Sequence, residues 1–264
     1  MILDTILSTT RAALAERRAR CPEGMLRDRF VDAPQPLDLA SCLRERGVSI
    51  IAEMKRASPS RGPLNLDLRP ARLAVTYASA GAQAISVLTE EHYFHGSLSD
   101  LQQARLGLAT AQRALPLLRK DFIVESYQLL EARAFGADAV LLIVAALDDE
   151  TLARLLDDAR HLGLTPLVEV HDEREVGQAL ALDAPVVGIN NRDLRDFHVD
   201  LGVTRRLRPL IPPGIVVVSE SGIHQPDHMR QLRSLQVDAA LIGQCLVTAS
   251  DPAAKLRQLK EAGQ

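Results

Sequence analysis

Ile50-Ile51-Ala52-Glu53-Met54-Lys55-Arg56-Ala57-Ser58-Pro59-Ser60 begins as an apolar run of strand length and ends in charge. Its acid and base, Glu53 and Lys55, stand at alternate positions, and alternate side chains leave a strand on one face. Ionisable groups on the inward face of a buried strand are costly unless they are paired or used. A structural ion pair meets that demand as well as a reaction site does. The decision therefore rests on the other apolar runs, several of which end the same way.

Outward from this stretch, short apolar runs alternate with longer helical ones from Val48 onward, the pattern of successive βα units around a parallel sheet. The runs read as strands are 50–54, 84–88, 115–118, 139–143, 165–168, 186–189, 215–218 and 239–242. Helical periodicity falls at 70–80, 98–111, 126–135, 149–162, 173–182, 203–210, 226–234 and 252–262. Gly81-Ala82-Gln83-Ala84 and Gly136-Ala137-Asp138-Ala139 echo one another, each glycine stopping a helix just before a strand. Eight such alternations predict a closed (β/α)8 TIM barrel rather than an open sheet. Ahead of it, residues 1–48 read as a helical extension, with an amphipathic helix over 2–20, breaks at Pro22, Pro34 and Pro36, and a short second helix over 38–46 ending at Gly47. The whole of 1–264 is expected to form a single barrel domain carrying that extension.

A barrel of this type carries its site where the strands end. Glu53 and Lys55 stand at the first exit, Thr89 and Glu90 at the second, and Arg119, Lys120 and Asp121 at the third. Glu169 follows the fifth run, Asn190 and Arg192 the sixth, Glu220 and Ser221 the seventh, and Gly243 the eighth. Chains reach solvent at strand ends, so some charge is expected there. Lysine and glutamate directly abutting apolar runs, as in Leu117-Leu118-Arg119-Lys120 and Pro166-Leu167-Val168-Glu169, go beyond that. Ser219-Glu220-Ser221-Gly222-Ile223 and Ile242-Gly243-Gln244 follow the last two runs, where barrels often bind phosphate through backbone N–H groups. Ser58-Pro59-Ser60 makes a stiff polar loop able to close over the same ligand.

Composition narrows the class. The 264 residues are 47% hydrophobic and 25% charged, with a formal net charge of -3 and a pI near 6.2, ordinary for a globular protein. Scattered basic residues, 3% aromatics and no Trp argue against a nucleic-acid surface. Cys21, Cys42 and Cys245 are odd in number and lack metal-site spacing, and Cys245 reads as a packing residue. No run approaches a membrane span, and the first residues lack a signal peptide's order, so a cytoplasmic protein is expected. His92, His95, His161, His171, His198, His224 and His228 form no ligand pattern and read as surface or loop residues.

Taken in order, Ala52-Glu53-Met54-Lys55-Arg56-Ala57-Ser58-Pro59-Ser60, Ser86-Val87-Leu88-Thr89-Glu90, Leu118-Arg119-Lys120-Asp121-Phe122, Leu167-Val168-Glu169-Val170, Gly188-Ile189-Asn190-Asn191-Arg192-Asp193-Leu194 and Ser219-Glu220-Ser221-Gly222-Ile223 resemble the indole-3-glycerol phosphate synthases of tryptophan biosynthesis over nearly the whole chain. The resemblance implies a carbon–carbon lyase that closes, decarboxylates and dehydrates 1-(2-carboxyphenylamino)-1-deoxyribulose 5-phosphate, with neither metal nor organic cofactor. It implies catalytic roles for Glu53, Lys55, Lys120, Glu169, Asn190, Glu220 and Ser221. Lys120 is the acid that protonates the carbonyl, with Glu169 its partner in the dehydration. Lys55 either binds the anthranilate carboxylate or acts as a second acid. Glu53 and Glu220 balance the lysines, and Asn190 hydrogen-bonds at the reacting centre. Phosphate falls to Ser58, Ser221, Gly222, Gly243 and Gln244, and Arg192 is implied as substrate-binding. Gln244 replaces a more usual small or acidic residue, which leaves a backbone contact possible. The implied partner is a small molecule alone, without nucleic acid or membrane. Two competing readings are another phosphate-sugar barrel isomerase, which has no use for two lysines and two glutamates, and an inactive barrel serving as a binding subunit, whose mark would be the loss of Lys120 or Glu169.

Overall fold

Each apolar run of the repeat forms a strand, and because a helix carries the chain back after each one, neighbouring strands run parallel. The computed structural model describes residues 2–31, 33–194 and 197–264. The strands are β1 (Ser49–Met54), β2 (Ala84–Leu88), β3 (Leu117–Lys120), β4 (Ala139–Ile143), β5 (Thr165–Val170), β6 (Val186–Asn190), β7 (Val216–Glu220) and β8 (Ala239–Ile242). Pairing of β1 with both β2 and β8 closes the sheet into a (β/α)8 TIM barrel. Several strands outrun the sequence expectation: β3 starts at Leu117 and includes Lys120, and β5, β6 and β7 extend to Val170, Asn190 and Glu220. Their terminal charges thus lie on the barrel wall itself.

Side-chain alternation divides the strands into two faces. Ile51, Leu118, Leu167, Val186, Val218 and Leu241 fill the barrel interior, while Ile50, Ala52, Val140, Val168, Val187 and Ala240 pack outward against the helices. By the same parity Glu53, Lys120, Glu169, Asn190, Glu220 and Gly243 point inward one step above the interior apolar layer.

Helices of the extension are α1 (Ile2–Arg20), α2 (Glu23–Asp28) and α3 (Leu39–Leu43). Those of the repeat are α4 (Pro70–Ala80), α5 (Leu98–Thr110), α6 (Ser126–Ala134), α7 (Asp149–His161), α8 (Glu173–Ala181), α9 (Gly202–Leu207), α10 (Pro226–Ser234), α11 (Gln244–Val247) and α12 (Pro252–Gly263). The echoed tetrapeptides do more than stop helices. Gln83 and Asp138 each accept the backbone N–H of a preceding strand, from Ile50 at 2.9 Å and Leu117 at 2.7 Å, and Asp238 does the same for Val217 at 2.8 Å. Each covers an N–H that would otherwise be buried without a partner.

The extension closes both ends of the barrel. Leu39 and Leu43 of α3 plug its base within the interior apolar cluster. Asp38 caps that helix by accepting from Ala40, and the helix ends at Leu43, so it is shorter than the expected 38–46 at both ends, mostly at its C-terminus. At the other end Leu3, Leu7 and Leu14 of α1 pack with Leu26 of α2 on Val124, Tyr127 and Leu130. Neither α2 nor α11 is foreshadowed by periodicity, since both are too short to show any. Among the described residues no helix is long and apolar enough to cross a membrane.

Candidate active site

The inward-facing strand ends enclose a cavity of about 670 Å³ at the C-terminal side of the barrel. Every expected site residue lines it: Glu53, Lys55, Ser58, Lys120, Glu169, Asn190, Arg192, Glu220, Ser221, Gly222, Gly243 and Gln244. Leu141 and Leu241 are among its apolar contacts, and Ile2, Leu3 and Ile6 of α1 wall one side. Phe94 and Phe122 add aromatic surface, their ring centroids 6.2 Å apart. One wall therefore suits a flat apolar group, and the rest is charged.

Lys120 is the centre of the charged part. Its Nζ donates to Glu169 Oε2 at 2.9 Å and pairs with Glu220 Oε2 at 3.0 Å, while only 14% of the side chain is exposed. Burial works against the ammonium charge, but Glu169, Glu220 and, at longer range, Glu53 outweigh it and raise its pKa above the ordinary lysine range. Lys120 therefore remains an acid with a proton to give. Burial likewise opposes charge on Glu169, but Lys120 and His171 hold its carboxyl below the usual range. Glu220 goes the other way: burial pushes it up, against the pull of Lys120 and with Glu169 adding to the rise. Two glutamates on one lysine thus differ in character, one ionised and one ready to take a proton. The second lysine has its own acid, Lys55 Nζ donating to Glu53 Oε1 at 2.5 Å.

Two glycines make room for the acids. A Cβ on Gly243 would sit 2.2 Å from Glu53 Oε1, and one on Gly188 2.2 Å from Glu220 Oε1. Gly243 is thus a hollow for Glu53 as well as part of the expected phosphate loop. After β7, Ser221 and Gly222 both adopt positive φ, 66° and 83°, a sharp reversal unfavourable for most side chains. Asn191 locks it, donating through Nδ2 to the carbonyls of Glu220 and Ser221 at 2.8 and 3.1 Å and accepting from Thr204 Oγ1 at 2.8 Å.

Not every strand-exit polar residue joins the mouth. Arg119 is wholly buried on the outer face, donating to Asp121 at 2.9 Å, Glu131 at 3.1 Å and the Gln128 carbonyl at 2.6 Å. Thr89 donates to Asp121 at 2.6 Å in the same network, and Glu131 reaches Arg17 of α1 at 2.9 Å. Glu90 accepts the backbone N–H groups of His92, Tyr93 and Phe94, shaping the loop that presents Phe94. His171 lies in the loop between β5 and α8, as one half of its reading expects, but it is not a surface residue. Its side chain is only 16% exposed and lies 3.3 Å from Glu169 Oε1 and 3.1 Å from Glu175 Oε2. Its place two residues after Glu169 and four before Glu175 was the available signal.

Comparison with known proteins joins this geometry to a family. The sequence profile of indole-3-glycerol phosphate synthase matches residues 3–259. The chain is 48% identical over 262 residues to the indole-3-glycerol phosphate synthase of Streptomyces griseus, covering 99% of this chain and 96% of that one. To the enzyme of that name from Dehalococcoides mccartyi strain CBDB1 it is 49% identical over 261 residues, covering 98% and 100%. Among solved structures, a 3-hexulose-6-phosphate synthase from Salmonella typhimurium superposes with a TM-score of 0.64 at 13% identity, over 81% of this chain and 98% of that one. A thiamine phosphate pyrophosphorylase from Pyrococcus furiosus gives 0.59 at 18%, over 85% and 97%. These two share the barrel and no more. Full-length identity near one half with curated synthases is a different matter, and by it the chain belongs to the indole-3-glycerol phosphate synthase family.

Proposed function

We propose that the cavity converts 1-(2-carboxyphenylamino)-1-deoxyribulose 5-phosphate into indole-3-glycerol phosphate, carbon dioxide and water. The observation that carries this reading is Lys120, held between Glu169 and Glu220 in a cavity with one apolar wall. The anthranilate ring lies on the apolar side formed by α1, Phe94 and Phe122. The phosphate lies at Ser58, Ser221, Gly222, Gly243 and Gln244, where Gln244 contributes through its backbone. Arg192 faces the carboxylate from the β6 exit, its pKa lowered by burial and by Arg61 nearby, so an added anion there is favoured.

In the first step the ring carbon bearing the carboxylate attacks the ketone carbon, forming a carbon–carbon bond while Lys120 gives its proton to the carbonyl oxygen. An ammonium is a weak acid when its neighbours are anionic. The developing alkoxide is more basic still, so the transfer becomes favourable as the bond forms. Loss of carbon dioxide returns the bonding electrons to the ring and restores aromaticity. Dehydration then removes the new hydroxyl with a proton from an acid, while a base takes a proton from the adjoining methylene. Glu169 accepts in that step, with Asn190 donating to its Oε1 at 3.0 Å and Glu220 able to hold the displaced proton. Lys55, with Glu53 behind it, binds the carboxylate or serves as the acid for the leaving hydroxyl.

The unpaired state of Cys21, Cys42 and Cys245 supports a reducing compartment such as the cytoplasm. The deciding experiment adds the deoxyribulose phosphate to purified protein and follows indole fluorescence with carbon dioxide release. Equal amounts of both products support the reading. An isomerised sugar phosphate with no carbon dioxide would favour a barrel isomerase, and no turnover would favour a binding subunit.

A further inference from the structure

His171 stands outside the cavity, yet it touches the one carboxylate that faces both lysine and asparagine within it. Glu169 is held on three sides. Oε2 accepts from Lys120 at 2.9 Å, and Oε1 accepts from Asn190 Nδ2 at 3.0 Å. His171 Nε2 lies 3.3 Å from that same Oε1, a buried ion contact short of hydrogen-bond geometry. Behind it, Glu175 Oε2 accepts the His171 backbone N–H at 2.8 Å and faces Nδ1 at 3.1 Å. Glu175 is itself buried in the first turn of α8, and its backbone N–H donates to Asp172 at 2.8 Å. The imidazole is therefore clamped between two carboxylates, with Lys120 beyond the first and Arg174 3.9 Å from the second.

We infer that His171 is a positioning residue of the reaction, which acts through Glu169 by fixing the carboxylate's rotation and keeping it ionised while it faces Lys120. The inference rests on the function proposed above. A nitrogen facing each carboxylate asks for a proton on each nitrogen. A neutral ring would turn a lone pair toward either Glu169 or Glu175, and the buried anion so addressed would shed its charge by taking a proton. Burial disfavours the imidazolium, but contact with Glu169 and Glu175 prevails and pushes its pKa up to about 10. The consequence for turnover is specific. If Glu169 rotates or is protonated, it cannot accept the proton lost in the dehydration and no longer aligns Lys120, yet the phosphate and ring contacts of the substrate are untouched. Because Lys120 and Asn190 still hold Glu169, the loss is smaller than that of an acid or base itself. Removing the outer partner of a reacting ligand costs about tenfold to a hundredfold in metal sites, and a similar loss is expected here.

The test compares wild type, His171→Ala and His171→Gln with the deoxyribulose phosphate in steady state, together with far-ultraviolet circular dichroism. His171→Ala should lower kcat by about tenfold to a hundredfold with KM within threefold. His171→Gln, whose amide nitrogen can reach toward Glu169 without charge, should recover part of the loss. Should His171→Ala not fold, Glu175→Gln takes its place: it leaves an oxygen for the backbone N–H but removes the charge behind the imidazole, and kcat should fall with KM unchanged. A folded His171→Ala with kcat within threefold of wild type, a loss carried by KM, or His171→Gln no better than alanine overturns the inference. Absence of turnover in wild type would instead sink the function on which it rests, so the two failures are distinct.

Discussion

Replacing Lys120 by Met removes the donor while retaining most of the apolar stem, and the consequences separate into two magnitudes. Loss of a positioned acid costs about a hundredfold to ten-thousandfold in rate, equivalent to about 2.7–5.5 kcal/mol of barrel-bound barrier lowering. Stability falls too, because Glu169 and Glu220, both 2% exposed, lose their common cation. Breaking a buried pair typically costs about 3–5 kcal/mol. Here the lower end is expected, since burial has already prepared Glu220 to take a proton and Glu169 keeps Asn190 and His171. At about 2–4 °C per kcal/mol for a chain of this size, a loss of about 3 kcal/mol lowers Tm by about 6–12 °C. The assay is single-turnover indole fluorescence, with equilibrium binding of an analogue whose ketone is reduced to an alcohol. Ring closure should slow by at least a hundredfold while analogue affinity changes less than tenfold. Lys55→Met should also slow turnover, but with weaker binding if Lys55 holds the carboxylate. Ring closure by Lys120→Met within tenfold of wild type would remove Lys120 from the role of acid and transfer it to Lys55.

Gly222→Ala should raise KM more than it lowers kcat, because φ is +83° and its Cβ would approach Val199 to 2.7 Å; equal falls in kcat and kcat/KM would count against a phosphate role. Gly243→Ala should instead damage kcat, since its Cβ meets Glu53 Oε1 at 2.2 Å and must displace the partner of Lys55; steady-state kinetics with a change confined to KM would refute this. Deleting residues 1–20 should leave a barrel that folds but binds substrate weakly and aggregates through Val124, Tyr127 and Leu130, whereas deletion through residue 44 should prevent folding by removing the Leu39 and Leu43 plug; a monomeric, fully active 45–264 fragment would contradict both. The charge on His171, facing Glu169 and Glu175, has a folded pKa raised from 6.5 to about 10, so its contribution to stability is complete below 6.5 and fades as pH rises toward 10. Calorimetry should find the Tm gap between wild type and His171→Gln larger at pH 6 than at pH 9.5, and a constant gap would show that the imidazole's charge contributes nothing.

The fold was legible because two periodicities alternate eight times, and the inward residues because a strand's parity is fixed: Leu118 inside puts Lys120 inside, and Leu167 inside does the same for Glu169. The strands run past Leu118, Val168, Ile189 and Val218, where the sequence pattern predicts their ends, for a physical reason. Charge ordinarily marks emergence into solvent, but here the charges neutralise one another across the barrel mouth, so the strands continue through them. The roles of Arg119 and His171 are harder to read in the sequence, although the spacing of His171 from Glu169 and Glu175 hints at its role. Each is defined by a partner on a helix, Glu131 on α6 and Glu175 on α8, and the spacing can suggest the pairing but only the packing turns those carboxylates inward. Gly243 was legible as a loop glycine, but its service to Glu53 required the two strand ends to be brought side by side.

Arg119 and Lys120 are consecutive cations on β3 with opposite addresses, and the difference guards the assembly of the sheet. A slip of one residue in the pairing of β3 with β2 and β4 would exchange every side chain between the two faces. The guanidinium, which now donates to Glu131 and the Gln128 carbonyl on α6, would enter the lumen, and Glu131 would lose the cation it faces while the lumen's Glu169 and Glu220 would lose Lys120. An ordinary strand of Leu and Val would tolerate such a slip as a modest repacking. On β3 the same error leaves charges without partners in both compartments at once, so the wrong register lies well above the native pairing in energy.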